Sequence, residues 1–211
     1  MAHQKNIIVK GKELNSDSKV LILLHGRGGS AEDILSLASY LNVAGFTLMA
    51  PQATGNTWYP YSFLAPPSQN EPWLSSALTL IKELVDELIA KGVSYSNIYF
   101  GGFSQGACLT LEFVTRNANH YGGVAAFTGG LIGDSIDTKN YKGDFKDTPV
   151  FIGTSDPDPH VPVERVHYTT NILRKMNAAV TERVYPNMGH TISQDEIEQA
   201  NTILFNQTAK A

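Results

Sequence analysis

Seven short runs rich in β-branched and aromatic residues recur along this chain, each closed by Gly, Pro or Asn and most followed by a stretch with helical spacing. Successive βα units look like this in sequence, and right-handed crossovers then place helices on both faces of a mostly parallel sheet. The runs cover residues 6–10, 19–24, 46–50, 97–101, 123–128, 149–153 and 181–185. Most are apolar throughout rather than alternating, the pattern of strands covered on both faces. The expected architecture is a three-layer αβα fold around a mostly parallel central sheet.

The helical stretches carry their own punctuation. Ser30 is placed to cap a helix with Glu32 and Asp33 in its first turn, an apolar face of Ile34, Leu37, Ala38 and Leu41, and an exit at Gly45. The longest pattern runs over 72–91, where Leu74, Ala77, Leu78, Ile81, Leu84, Val85 and Leu88 predict the sheet-facing stripe and Gly92 the end. Ser193 with Glu196 three residues on reads as a capping box, starting a last helix that buries Ile197, Ala200 and Leu204. No repeat, low-complexity tract or linker interrupts the 211 residues, so one domain over 1–211 is expected. Two stretches, 52–71 and 129–148, show no regular period. Both exceed the roughly 12–15 residues usual for a structureless loop, and loops of that length tend to carry function.

Charge narrows the partners. A net charge of -4 and 17% charged residues give no broad cationic surface, so nucleic acid is not expected as a partner. Cys108 is the only cysteine, which excludes an intrachain disulfide and suits a reducing compartment. The residues before Ile7 are too few for a signal-peptide core, and no apolar run approaches the ~20 residues of a bilayer span. A cytoplasmic protein, monomeric or homodimeric, is the expectation.

The chemistry begins at Gly102-Phe103-Ser104-Gln105-Gly106, a Gly-x-Ser-x-Gly pentapeptide between a strand pattern and a helix pattern. A sharp strand-to-helix turn there lifts the serine above the sheet, and the small flanking residues let the backbone bend. An ordinary glycine-rich βα turn, binding nothing or a phosphate, is the bland alternative. A serine hydroxyl needs a base within hydrogen-bond reach and a group to hold that base. Of six histidines, His190 follows the last strand pattern and precedes the capped helix, so it hangs at the sheet edge that carries Ser104. His3, His120 and His167 read as exposed loop residues, and His160 as a rival crowded by its own acid neighbours.

The acid comes from the end of the preceding strand in this triad order, where Asp156 and Asp158 compete. For the oxyanion, backbone N–H groups of Gln105 and of the loop His25-Gly26-Arg27-Gly28-Gly29 are expected, Arg27 supplying the second. His25 itself reads as structural, and the Arg27 side chain as holding either an acidic substrate group or a surface carboxylate. Trp58, Tyr59, Tyr61 and Phe63 either wall an apolar acyl pocket or pack against the sheet edge. Cys108, one turn beyond Ser104, reads as a small buried hydrophobe. Neither a metal-ligand spacing nor a dinucleotide fingerprint is present, and no metal or cofactor is expected.

Taken in order, His25-Gly26-Arg27-Gly28, Gly102-Phe103-Ser104-Gln105-Gly106, Asp158-Pro159-His160-Val161-Pro162 and Gly189-His190 give the chain a resemblance to the phospholipase/carboxylesterase family of α/β hydrolases, which includes the acyl-protein thioesterases. The resemblance spans nearly the whole chain. It implies the α/β-hydrolase fold without a separate lid domain, and hydrolysis of small-molecule esters or thioesters with short to medium acyl chains. It also implies Asp158 as the acid, because the family's acid opens an Asp-Pro-x-Val-Pro segment. The chain departs from the thioesterases at Arg27, where they carry an apolar residue, and in the segment Trp58-Tyr59-Pro60-Tyr61-Ser62-Phe63. A lactone hydrolase or peptidase on the same scaffold, or a non-catalytic binder that kept the pocket, are the alternatives.

Overall fold

The computed structural model describes residues 2–206. Its seven strands are β1 (Ile7–Gly11), β2 (Val20–Leu24), β3 (Thr47–Pro51), β4 (Ile98–Phe103), β5 (Gly123–Phe127), β6 (Pro149–Asp156) and β7 (Ala179–Pro186). They form one sheet in the order β1-β3-β2-β4-β5-β6-β7. β1 runs antiparallel to β3, and the remaining neighbours are parallel.

Five helices cover the sheet: α1 (Ala31–Ser36), α2 (Trp73–Ala90), α3 (Gln105–Arg116), α4 (Val163–Lys175) and α5 (Gln194–Ile203). Strand β2 shows why its sequence is apolar throughout. Val20, Ile22 and Leu24 point into a core shared with Leu84 of α2, Leu109 of α3 and Leu173 of α4, while Leu21 and Leu23 point into a second core with Ile34 of α1 and Ile197 of α5. Successive side chains of a strand face opposite ways, so a strand sandwiched between helix layers has no polar face. The two cores are the two faces of a three-layer αβα fold.

The structure corrects several details. α1 ends at Ser36 and continues as a 3-10 turn over Leu37–Tyr40, where the Ser36 and Ser39 hydroxyls donate back to the Asp33 and Ser36 carbonyls at 2.6 and 2.7 Å. Such local bonds compete with the α ladder. On α2, Leu80 and Ser76 occupy inner positions and Leu78 is only partly buried. Edge strand β7 is longer than its sequence pattern and largely accessible. α4 has no clear apolar period, because Thr169 and Thr170 take buried places beside Val166, Ile172 and Leu173. No helix among the described residues is long and apolar enough to cross a membrane.

Candidate active site

Strand β4 ends at Phe103 and helix α3 begins at Gln105, leaving one residue to reverse direction. Ser104 does so at φ 53° and ψ -119°, a left-handed conformation uncommon for a residue with a Cβ. The flanking glycines follow from the same bend. A Cβ on Gly102 would lie 2.5 Å from the Gly106 carbonyl oxygen, and one on Gly106 would lie 2.1 Å from that of Leu24. Neither position has room for a side chain. The turn is pinned by the Ser104 N–H donating to Phe127 O at 3.0 Å and the Cys108 N–H donating to Ser104 O at 2.9 Å.

His190 lies in the loop after β7, which is tied down by the Gly189 N–H donating to Ser155 Oγ at 2.9 Å and by the Ser193–Glu196 capping box that opens α5. Its Nε2 stands 2.7 Å from Ser104 Oγ and its Nδ1 stands 2.8 Å from Asp158 Oδ2. An ionised carboxylate only accepts, so Nδ1 carries the hydrogen and Nε2 is free to accept from the serine hydroxyl. The other Asp158 oxygen accepts from the His160 and Val161 N–H groups, both at 2.8 Å. Burial pushes the Asp158 carboxyl up, but the bonds from the His160 N–H, the His190 ring and the Val161 N–H outweigh it and hold the group below its ordinary value. Asp156, the other candidate, is still the last residue of β6, and its side chain is exposed. The ring of His190 is flanked by Phe103 and His160, with centroids 5.2 and 4.8 Å away. His160 therefore sits beside the His190 ring.

The loop after β2 holds its shape through His25. Nδ1–H donates to Gly26 O at 2.7 Å, and Nε2 accepts from the Ala53 N–H at 3.1 Å. Burial lowers the pKa of this ring, so it is a neutral strut. Among the described residues the Arg27 N–H meets no acceptor in the protein. The Gln105 N–H is the first of α3, where the i−4 ladder supplies no acceptor. Both residues line the cleft beside Ser104. The Arg27 guanidinium pairs with no surface carboxylate among the described residues: it donates to Thr57 Oγ1, Pro60 O and Tyr61 O at 3.0, 2.9 and 2.7 Å.

That cleft has a volume of about 580 Å³ and is walled by Tyr59, Tyr61 and Phe63 with Arg27, Phe103, Val161 and His160. Trp58 is not part of the wall. It is fully buried behind it, where its indole N–H donates to His25 O at 2.8 Å and its backbone N–H donates to Gln105 Oε1 at 2.9 Å. His3 corrects a second expectation. It is buried between Trp58 and Trp73, with Nε2 2.9 Å from Trp58 O and Nδ1 accepting from the Thr54 N–H, and burial lowers its pKa. Nothing local marks such a role, since its partners lie some fifty residues away. Cys108 lies buried under the cleft, its thiol pushed up to about 12 by burial, which keeps it protonated and inert.

Known proteins resemble this chain in sequence and fold. The profile of the phospholipase/carboxylesterase family fits residues 3–207. The crystal structure of a phospholipase/carboxylesterase from Dyadobacter fermentans is 56% identical, covers 97% of this chain and 98% of its own, and superposes with a TM-score of 0.95. Acyl-protein thioesterase 1 of Kluyveromyces lactis is 29% identical over 204 residues, 85% of this chain and 87% of that protein. A probable SOBER1-like carboxylesterase of Arabidopsis thaliana is 31% identical over 130 residues, which are 62% of this chain and span half the length of that relative. The Bacillus cereus carboxylesterase, at 21% identity and a TM-score of 0.76 over 94% of this chain and 92% of its own, shares the fold. With a match over nearly its full length and the ordered motifs folded into one cleft, the chain belongs to the phospholipase/carboxylesterase family of α/β hydrolases.

Proposed function

We propose that the protein is a serine hydrolase that cleaves carboxylic esters, thioesters among them, of short to medium acyl chains through an acyl-enzyme on Ser104. One observation carries the reading: an unbroken hydrogen-bonded chain from Asp158 through His190 to Ser104, drawn from three separate loops at one edge of the sheet. Ser104 Oγ attacks the carbonyl carbon while His190 Nε2 takes its proton, and Asp158 holds the ring and offsets the imidazolium charge. The carbonyl oxygen, now negative, rests on the N–H groups of Arg27 and Gln105, each such donor contributing on the order of 3 kcal/mol in the transition state. His190 then protonates the departing alcohol or thiol. Water attacks the acyl-enzyme by the same route in reverse, and serine is regenerated.

The acyl group sits against Tyr59, Tyr61 and Phe63, whose apolar faces line the cleft. In this reading the protein works as a single cytoplasmic domain, monomeric or homodimeric, on small-molecule substrates, without cofactor or nucleic acid. Ser104→Ala, measured on p-nitrophenyl acetate with the melting temperature as a control, should lose about 10⁴-fold or more of kcat/KM while staying folded. A folded variant within about tenfold of wild type would refute the assignment.

A further inference from the structure

Tyr59, Pro60 and Tyr61 line the cleft with Thr57 and Trp58 just before them in the chain; none of the five belongs to a helix or strand, and side chains from elsewhere take up the carbonyls from Trp58 on. Four consecutive carbonyls are capped in this way: Trp58 O by His3, Tyr59 O by Gln105 Nε2, and both Pro60 O and Tyr61 O by Arg27. Two of these three capping residues are the ones whose own backbone N–H groups face the reacting carbonyl in the proposed mechanism. The Thr57 hydroxyl joins them. It accepts from Arg27 Nη1 at 3.0 Å and shares its hydrogen between Tyr59 O at 3.1 Å and Gln105 Oε1 at 3.3 Å. The Gly28 N–H donates to Asn56 O at 2.7 Å, tying the two loops together at their base.

We propose that Arg27 is a positioning residue whose guanidinium locks the acyl-pocket wall to the oxyanion loop, so that an acyl group pressing on Tyr59 and Tyr61 also sets the alignment of the Arg27 N–H. The inference rests on the acyl-transfer reading and adds to it a source of chain-length specificity. A misplacement of about 1 Å at a reacting centre costs on the order of 100-fold in rate, so a wall and a donor held as one body convert acyl contact into turnover as well as affinity. A lysine or an apolar residue at this position cannot serve three acceptors in a plane, as the guanidinium fork does.

The experiment compares wild type, Arg27→Met and Thr57→Val on p-nitrophenyl acetate and p-nitrophenyl hexanoate. Arg27→Met keeps the backbone N–H and most of the stem. In wild type, lengthening the acyl chain should raise kcat; in Arg27→Met that gain should shrink about tenfold with a smaller change in KM, and guanidinium at non-denaturing concentration should restore part of it. Thr57→Val, which leaves Arg27 in place, should move the same ratio in the same direction by less. A chain-length gain in kcat kept within about twofold in Arg27→Met, or a loss confined to KM, overturns the clamp. Wild-type enzyme that neither turns over the acetate nor reacts with a fluorophosphonate overturns the acyl-transfer reading and the clamp with it. Labelling that persists while the ratio stays put overturns the clamp alone.

Discussion

The elbow at Ser104 and the segment 57–61 both border one cleft, and they are held in opposite ways. The elbow is set by backbone: a strand and a helix meet at a single residue, and two glycines pass where a Cβ would strike carbonyl oxygens. The segment is set by side chains: His3, Arg27 and Gln105 reach in from far along the sequence, and Asn70 from nine residues on, to take or supply its backbone hydrogen bonds. The first kind of construction tolerates almost no change at a few positions. The second spreads the cost over many partners, each worth a modest amount, which lets a family keep its nucleophile while reshaping its pocket.

Substitutions probe this contrast in descending order of effect. The largest belongs to the triad. Asp158→Asn should lower kcat by roughly 10⁴-fold, because the amide no longer fixes the His190 tautomer, while Asp156→Asn should stay within a few-fold. Steady-state kinetics on one ester compare them, and the reverse ranking would move the acid to Asp156. Next comes the elbow. Gly106→Ala drives a methyl group into two backbone carbonyls and should cost about 3 kcal/mol or more, read by denaturant unfolding. Gly28→Ala in the loop after β2 has open space around it and only its φ of 76° to answer for, so about 1 kcal/mol is expected. Equal costs at the two glycines would mean that steric closure does not define the elbow.

The segment 57–61 should respond more gently. Trp58→Phe removes the indole N–H and leaves the buried His25 carbonyl without its donor, a loss of about 1–3 kcal/mol by unfolding. The smallest effect is on pH. His3 and His25 both have pKa values lowered by burial from an ordinary 6.5, so the unfolded chain binds protons that the folded one resists. Their contribution is therefore complete above the unfolded value and lost as pH falls below it. The melting temperature should drop between pH 8 and pH 5. A curve flat over that range would show that neither ring is held neutral.

The same contrast explains what could be read from the residues alone. All seven strands and the elbow are local signals: apolar runs of the right length, and a pentapeptide whose glycines have a steric reason. His190 was legible because loop, cap and strand order place it. Asp158 was separated from Asp156 only by the family resemblance, since two residues on one loop look alike until β6 is seen to run as far as Asp156. Helix α4 escaped because threonines fill part of its inner face, and α1 was drawn too long because serines that bond back to carbonyls resemble any other polar helix position. The roles of His3, Trp58 and the Arg27 guanidinium were out of reach. Each depends on hydrogen bonds to backbone carbonyls thirty or more residues away, which leave no pattern in composition or spacing.

In the proposed mechanism the Ser104 oxygen, relieved of its proton by His190, attacks an electrophilic centre bound in this cleft. Reaction of the folded protein with a fluorophosphonate, followed by mass spectrometry of the peptides, tests it most directly. One adduct per chain is expected, on Ser104, abolished in His190→Ala while that variant still melts cooperatively. An unlabelled wild type, or label carried by any other residue, would contradict it.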